Sequence, residues 1–185
     1  MDAPVDTRTQ ILQVARELFV TRGFAATTTR DLADRLGFTK AALYYHFHTK
    51  DELWAALAEP MLERMRALVA DARVTDDPET RAAWLARYID TMFDYRDLIQ
   101  VVHQDPSAKQ CRVTDEFVPV FDDMQRVLTG SDTPDTAART RARATLAAVR
   151  GGLVNASADD DPDALRAATL AAACGALGVP VPTST

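Results

Sequence analysis

Residues 39–46 combine short polar side chains with a cation and an aromatic hydroxyl, the groups that hydrogen-bond to DNA bases and phosphates. If this segment is a helix, its exposed side chains are those of Thr39, Lys40, Ala41, Tyr44 and His46. Leu43 then faces inward. A helix without large exposed aliphatic groups fits the DNA major groove, about 12 Å wide, where its N-terminal side chains meet base edges. The segment therefore predicts non-covalent recognition of a nucleic acid, with no covalent bond made or broken.

No other group of residues matches a catalytic or metal-binding motif. The sequence has neither a Gly-rich phosphate loop nor a Gly-x-Ser-x-Gly elbow. Cys111 and Cys174 cannot supply a disulfide framework or a four-ligand zinc site. His46 and His48 are two residues apart, on different helix faces, and residues 159–161 lack the Gly and closing Glu of a calcium loop. We therefore expect no enzyme activity, no metal and no cofactor.

Two short helices joined at Gly37 must position the recognition segment. Thr28 signals the start of the first helix, which runs to Leu36, and Thr39 caps the second, at about 40–46. Gly37 supplies the tight turn between them. The side chains predicted to form the core between the helices are those of Leu32, Ala33, Leu36, Phe38 and Leu43. The pattern predicts a helix-turn-helix.

Helix start signals recur along the chain, and no strand-like alternation of any length interrupts them. Thr7 and Gln10 predict a capping box for a first helix that ends at Gly23. Thr49 and Glu52 predict a second box, which opens a fourth helix. Further helices are predicted near 78–95, 97–104, 114–128, 134–157 and 162–177. The sequence therefore predicts an all-α chain of nine helices.

Proline placement supports three of these boundaries and leaves one open. Asp77-Pro78, Thr133-Pro134 and Asp161-Pro162 each resemble an N-cap followed by proline in the first helical position. Pro60 stands within the fourth helix, where it either kinks one continuous helix or separates two. The sequence does not decide between these two alternatives.

The distribution of charge agrees with a DNA-facing segment on an acidic body. The 185 residues carry a net charge of -6 with a pI near 5.0, which by itself argues against nucleic-acid binding. Residues 22–50, however, hold five basic and two acidic groups, a local charge of +3. No apolar run approaches the roughly 18 residues that a membrane span requires. We expect a cytoplasmic protein without a membrane partner.

The helix-turn-helix resembles the DNA-binding domain of TetR-family regulators. The motifs that carry the resemblance are Thr29-Arg30-Asp31-Leu32-Ala33, Leu36-Gly37, Ala42-Leu43-Tyr44-Tyr45-His46-Phe47 and Lys50. The end of the first helix, with Leu18-Phe19 and Arg22-Gly23-Phe24, agrees with the same pattern. The match covers about residues 8–58, and Ala41 stands where many members of the family have glycine.

The resemblance implies a two-domain, nine-helix TetR-like architecture. A DNA-binding domain would occupy residues 7–55, an effector-binding and dimerisation domain residues 56–178, and a tail residues 179–185. The implied function is that of a homodimeric repressor, which binds a pseudo-palindromic double-stranded DNA operator and is released by a small-molecule effector. A regulator that answers to a protein partner, or to no effector, is the alternative. An all-helical enzyme is a third, more distant one.

The resemblance also assigns roles within the DNA-binding domain. Arg30 and Lys40 would read bases, because Arg and Lys donate to guanine O6 and N7. Thr39 would contact either a base or a phosphate. The residues that would hold phosphates are Thr28, Thr29, Tyr44, His46 and Lys50. Lys50 also fits a plain capping box with a solvated side chain, and Tyr45 is expected to pack.

The second domain carries an aromatic and methionine-rich stripe that could line an effector cavity. The candidate effector-binding residues are Trp84, Tyr88, Met92, His103, Phe117, Phe121 and Asn155. Ordinary core packing is the alternative for each apolar member of this set. Polar members would orient the ligand.

A pair of glycines in the eighth predicted helix points to close helix packing. Gly151-Gly152 should cost about 2 kcal/mol of helix stability relative to Ala-Ala. Close approach of another helix would compensate. The resemblance to the TetR family implies that the last two helices form a four-helix homodimer interface. The candidate interface residues are Leu146, Val149, Gly152, Leu153 and Leu165. Packing within one chain is the alternative.

Overall fold

The structure, a computed structural model, describes residues 6–111, 113–157 and 159–182. Over these ranges it contains nine α-helices, one 3-10 turn at Ala108–Gln110 and no strand. The helices are α1 (Thr7–Arg22), α2 (Thr29–Leu36), α3 (Lys40–His46), α4 (Lys50–Ala70), α5 (Pro78–Asp94), α6 (Arg96–Gln104), α7 (Val113–Thr129), α8 (Thr136–Val154) and α9 (Pro162–Leu177). The all-α prediction is confirmed. None of the described helices is long and apolar enough to cross a membrane.

Side-chain caps set several helix starts where the sequence predicted them. The Asp77 carboxylate accepts from the backbone N–H of Thr80 at 2.8 Å, so α5 begins at Pro78. The Asp161 carboxylate accepts from the backbone N–H groups of Asp163 and Ala164, both at 3.3 Å, so α9 begins at Pro162. These caps satisfy backbone donors that have no partner within the helix.

Two predicted caps are wrong, each by a short distance along the chain. α1 begins with the backbone hydrogen bond from Gln10 to the Asp6 carbonyl, so Thr7 is its first residue and caps nothing. α8 is capped by Asp135, which accepts from the N–H of Ala138 at 2.7 Å, in place of Thr133. Aspartate is a stronger N-cap than threonine, which explains the second shift.

The capping box predicted before α4 is half formed, and the helix itself is continuous. Thr49 Oγ1 accepts from the backbone N–H of Glu52 at 3.1 Å. The Glu52 carboxylate accepts instead from the N–H of His48 at 2.8 Å. Pro60 lies inside α4, so the alternative in which it separates two helices is wrong.

The chain divides into two compact units. The head unit comprises Met1–Pro60 with Asp97–Glu116, and the body unit comprises Met61–Arg96 with Phe117–Thr185. The division therefore differs from the predicted boundary at residue 55, and it places most of α6 with the head unit. Val179 is buried and donates its N–H to the Cys174 carbonyl at 3.1 Å, so the predicted tail begins later than residue 179. Residues 183–185 of that tail lie outside the described residues.

An aromatic cluster forms the core of the head unit. Phe19, Phe24 and Trp54 are all buried, and their ring centroids are 5.1 to 5.9 Å apart in tilted and edge-on contacts. These geometries are favourable for aromatic rings and add to the burial of apolar area. The cluster joins α1, the turn after it and α4, and so supports the helices that carry the recognition segment.

Two carboxylates attach residues 97–111 to the rest of the head unit. Asp97 accepts two hydrogen bonds from the Arg16 guanidinium, at 2.6 and 2.7 Å. Asp105 accepts from the backbone N–H of Ala25 at 2.5 Å and from the N–H and hydroxyl of Ser107. A bidentate arginine pair fixes orientation as well as distance.

These contacts predict that the head unit loses stability in acid. Desolvation raises the pKa of Asp97, but the hydrogen bonds and charge of Arg16 outweigh it, so this pKa lies below its ordinary value. Ser107 and the Ala25 N–H lower the pKa of Asp105. A depressed folded pKa contributes stability that is complete above the unfolded value near about 3.9 and is lost as pH falls through the folded pKa. We therefore expect the free energy of unfolding to fall steeply below about pH 4.

Asp97→Asn tests this expectation. The variant should lose about 1 kcal/mol at pH 7, a modest value because both partners are partly exposed and screened by solvent. It should also show a shallower loss of stability between pH 5 and pH 2. Urea unfolding at a series of pH values measures both quantities. A variant with the wild-type pH profile would show that the Arg16 pair makes no contribution.

Candidate nucleic-acid interface

A glycine turn sets the angle between α2 and α3. Gly37 has φ 69° and ψ 24°, in the left-handed region that favours glycine. Its N–H donates to the Asp34 carbonyl at 3.3 Å, and the N–H of Phe38 donates to the Ala33 carbonyl at 2.9 Å. This pair of bonds is a Schellman motif, which ends α2 and satisfies its last carbonyl groups.

The helix-turn-helix is held by fewer core side chains than predicted. Leu32, Ala33 and Leu43 are buried, as the sequence indicated. Leu36 and Phe38 are only half-buried. Phe47, which ends α3, is also buried and was not in the predicted core. Because Leu43 and Phe47 anchor one face of α3, its opposite face remains in solvent.

The exposed side of α3 carries four of the nine predicted DNA-contacting residues. We call it the recognition surface, and its residues are Thr39, Lys40, Ala41, Tyr44 and Tyr45, all exposed. Arg30, on α2, is 87% exposed, and its Nε lies 3.8 Å from the Asp34 carboxylate. His46 is half-buried. These groups stand at helical spacing on accessible surface, as major-groove readout requires.

The two threonines that begin the helices both act as N-caps. Thr39 Oγ1 accepts from the N–H of Ala42 at 3.1 Å. Thr28 Oγ1 accepts from the N–H of Asp31 at 3.1 Å and donates to its carboxylate at 2.5 Å, while Asp31 also accepts from the Thr28 N–H. The hydrogen bonds from Thr28, aided by the charge of Arg22, hold the pKa of Asp31 below its ordinary value. Phosphate contact by Thr28 and the half-buried Thr29 stays a prediction.

Two aromatic contacts order the end of α3, and the sequence analysis predicted neither of them. The Tyr44 ring stacks on His48 with centroids 6.0 Å apart, and His48 Nδ1 lies 2.7 Å from the Tyr44 carbonyl oxygen. Tyr45 is 84% exposed and meets His46 edge-on, so the expectation that it packs is wrong. Helical geometry contained the signal, because two residues after the inward Leu43 a side chain points to the opposite side.

Lys50 does not point its charge at solvent. Its Nζ donates to the carbonyls of Phe24 at 2.6 Å and Thr27 at 3.1 Å, and lies 3.5 Å from that of Ala25. The ammonium group also stands 4.3 Å from the centre of the Phe24 ring. All three of its hydrogens have acceptors within the chain. This geometry is at odds with the solvated alternative, because Lys50 holds the turn that leads into α2. Phosphate contact by Lys50 stays a prediction.

The aromatic stripe of α5 is buried in the body unit. Trp84 stacks on Tyr88 with centroids 5.7 Å apart, and its Nε1 donates to the Leu68 carbonyl at 2.9 Å. Tyr88 and Met92 are buried, and burial raises the pKa of the Tyr88 hydroxyl. The alternative of ordinary packing therefore describes Tyr88 and Met92.

The other candidate effector residues belong to other elements of the fold. Phe117 is half-buried and Phe121 exposed, with centroids 6.4 Å apart on α7. Asn155 follows α8 and donates from its side chain to the Gly151 carbonyl at 3.0 Å. His103 belongs to the head unit. The predicted set is thus distributed over several environments.

Three candidate interface residues pack inside the chain. Val149 and Leu153 are fully buried in the body unit. A Cβ at Gly152 would collide with Thr169 Oγ1 on α9 and lie 3.0 Å from its Cγ2. The close approach that the glycine permits within this chain is therefore between α8 and α9, which fits the alternative of packing within one chain. A place for Gly152 in the homodimer interface stays a prediction. Leu146 and Leu165 are half-buried.

The fold and the exposed α3 define the head unit as a helix-turn-helix domain. Residues 11–57 match the profile of a family described as bacterial regulatory proteins, tetR family. The HTH-type transcriptional repressor AcnR of Corynebacterium efficiens is 30% identical over 134 residues, which cover 69% of this chain and 62% of AcnR. The HTH-type transcriptional repressor KstR2 of Rhodococcus jostii is 39% identical over 75 residues, 37% of each chain. The chain belongs to the TetR family.

A solved structure extends the likeness in fold to nearly the whole chain. The ketosteroid transcriptional regulator KstR2 of Mycobacterium tuberculosis superposes with a TM-score of 0.70 at 20% identity, over 96% of both chains. The sequence matches to AcnR and to the KstR2 of Rhodococcus jostii are shorter than this structural match. In them the chain spans less than two thirds of the length of the curated relatives. The shared architecture is that of the two-unit, all-helical fold.

Proposed function

We propose that this chain is a DNA-binding transcriptional repressor, which acts as a homodimer on a pseudo-palindromic operator and is released by a small-molecule effector. The observation that carries the proposal is α3, anchored by Leu43 and presenting the recognition surface to solvent at the start of a TetR-family chain. AcnR and the KstR2 of Rhodococcus jostii are named as repressors, which favours repression over activation.

Electrostatics supports DNA as the partner of the head unit. The +3 charge of residues 22–50 contrasts with the net charge of -6 for the whole chain. A basic surface on an acidic protein steers phosphate to one side and repels it elsewhere. Among the described residues, Arg30 makes a single ion pair, an exposed contact with Asp34, which has little strength and can give way to a base.

A two-fold dimer fixes the form of the operator. One helix-turn-helix per subunit implies two half-sites about one helical turn, or a near multiple, apart. The half-buried Leu146 on α8 and Leu165 on α9 support an interface on the outer faces of these helices. Val149 and Leu153 are already buried within the chain and would support that interface from behind.

The test is DNA binding by variants of the two proposed base readers. Arg30→Ala and Lys40→Ala should each lose about 1–2 kcal/mol at particular base pairs, because a lost base contact matters only where that base is present. The measurement is a titration of the duplex upstream of the chain's own gene, its single-base variants and a random duplex. Arg96→Ala, an exposed arginine at the start of α6, is the matched control and should bind as wild type. Equal losses on specific and random DNA would contradict base reading.

A further inference from the structure

The body unit contains an open groove lined by three arginines. The groove has a volume of about 310 Å³ and lies where the end of α4, the start of α5 and the end of α7 meet. Its lining includes Arg73, Arg81 and Arg87, with Asp71 as its one acidic residue. Three cations and one carboxylate give the lining a charge of +2, although the chain as a whole is acidic. The size is at the lower end of the range for small-molecule sites, about 300–1,000 Å³.

Arg81 is the most buried of the three cations. One guanidinium nitrogen, Nη2, donates to the carbonyl of Leu128 at the end of α7. Its Nε is buried and has no hydrogen-bond partner among the described residues. Burial lowers the pKa of Arg81, the positive charge of Arg141 lowers it further, and the charge of Asp76 opposes them. A partly buried cation that lacks a close carboxylate gains from an anion that enters its surroundings.

The other two arginines are available at the mouth of the groove. Arg87 and Arg73 are exposed, and neither takes part in an ion pair in the described part of the chain. By contrast, Arg64 and Arg166, also in the body unit, each pair with an aspartate, at 2.7 and 3.2 Å. Planar guanidinium groups suit carboxylates and phosphates because they donate two parallel hydrogen bonds.

We infer that this groove binds a small organic anion, with its oxyanion group held by Arg73, Arg81 and Arg87 and its apolar part against Trp84 and Val127. The inference rests on the proposed function, and it specifies the chemical class of the effector as an organic carboxylate or phosphate. Trp84 gives the site a direct connection to α4, because its Nε1 donates to the Leu68 carbonyl near the end of that helix. α4 runs without interruption from Lys50 to Ala70, so its first residues belong to the head unit.

The experiment measures binding of defined anions to the full chain. Benzoate, phenyl phosphate and inorganic phosphate are titrated against the neutral benzamide, with isothermal calorimetry on the wild type. The fluorescence of Trp84, observed in a Trp54→Phe background, reports binding at the groove. We expect saturable binding of at least one of the two organic anions, a change in Trp84 emission, and at least tenfold weaker binding of benzamide. Benzoate and phenyl phosphate distinguish a carboxylate from a phosphate ligand.

The variants assign binding to the arginines. Arg73→Gln with Arg87→Gln should weaken organic-anion binding at least tenfold, and both positions are exposed, so folding should be retained. Arg96→Gln removes one positive charge from the same unit outside the groove and should bind as wild type. Arg81→Lys keeps the positive charge but loses the planar donors, so a folded Arg81→Lys protein should bind organic anions more weakly. If Arg81→Lys does not fold, the double variant Arg73→Gln with Arg87→Gln decides the test.

DNA titrations of the same preparations separate this inference from the proposed function. If the wild type binds its upstream duplex and releases it when the bound organic anion is added, both stand. If the wild type binds the duplex but shows no saturable binding of an organic anion, the anion-binding groove is overturned and the proposed DNA-binding function stands. Arginine-dependent anion binding without duplex release overturns the effector role. Equal binding of benzamide, binding of inorganic phosphate alone, or full affinity in the double variant overturns the site.

Discussion

Lys50→Met is expected to lower the free energy of unfolding by about 3 kcal/mol, and to leave the salt dependence of DNA binding unchanged. Methionine keeps the length of the apolar stem but removes the ammonium group that bonds to the carbonyls of Phe24 and Thr27. A hydrogen bond to a charged group is worth roughly 1.5–3 kcal/mol, and a partly buried carbonyl left without a partner adds a penalty. Specific DNA affinity should fall as well, because the loosened turn leads directly into α2.

The salt dependence of DNA binding distinguishes two roles for Lys50: bonding to the carbonyls of the turn before α2, and contact with a DNA phosphate. Loss of one phosphate contact would flatten the slope of log K against log salt concentration by about one unit. Denaturant unfolding and duplex titrations at several salt concentrations supply both measurements. Lys40→Met is the matched control, because that lysine is exposed. It should weaken DNA binding but change the free energy of unfolding by at most about 0.5 kcal/mol. Wild-type stability with a flatter slope for Lys50→Met would support the predicted phosphate contact instead.

The helix-turn-helix could be predicted because its determinants are local. Thr28 caps α2, Gly37 turns the chain, and Thr39 caps α3, and each acts on residues at most four positions away. The exposed face of α3 follows from one inward residue, Leu43, and helical geometry. The mistaken caps, such as Thr133, arose where a stronger capping residue stands nearby.

The contacts that define the roles of Lys50 and Gly152 could not be predicted, because they join distant parts of the chain. Lys50 bonds to carbonyls more than 20 residues earlier, and Gly152 meets Thr169 on the next helix. A lysine after a threonine has the same local pattern whether its ammonium group faces solvent, DNA or a carbonyl. Only the tertiary fold decides which acceptor it meets.

The candidate effector site was obscured for a different reason. An aromatic and methionine-rich stripe at helical spacing is the pattern of a core as well as of a cavity, and Tyr88 and Met92 form core. The arginine groove gives a weaker signal in the sequence. In the sequence, nothing distinguishes its three arginines from ordinary surface charges. Only the fold brings Arg73, Arg81 and Arg87 together around one groove.

Gly152→Ala is expected to destabilise the chain by about 1–2 kcal/mol, whereas Gly151→Ala should stabilise it by about 0.5–1 kcal/mol. Alanine improves helix propensity equally at both positions, by up to about 1 kcal/mol. At Gly151 nothing lies within 4 Å of the added Cβ, so the gain in propensity remains. At Gly152 the Cβ would collide with Thr169, a buried β-branched residue on α9 whose χ1 is restricted within a helix. Overpacking of this kind costs roughly 1–3 kcal/mol.

A second substitution identifies the colliding group. Thr169→Ala removes both Oγ1 and Cγ2, so the double variant Gly152→Ala with Thr169→Ala should recover most of the stability lost in Gly152→Ala alone. The difference between the double variant and the sum of the single ones measures the coupling of the two residues. Denaturant unfolding at one fixed protein concentration gives these values, because the stability of an oligomer depends on concentration. Equal effects of alanine at the two glycines would refute a close approach of α8 and α9. A Gly152→Ala variant that unfolds like the wild type but sediments as a monomer, where the wild type is a dimer, would place Gly152 at the subunit interface.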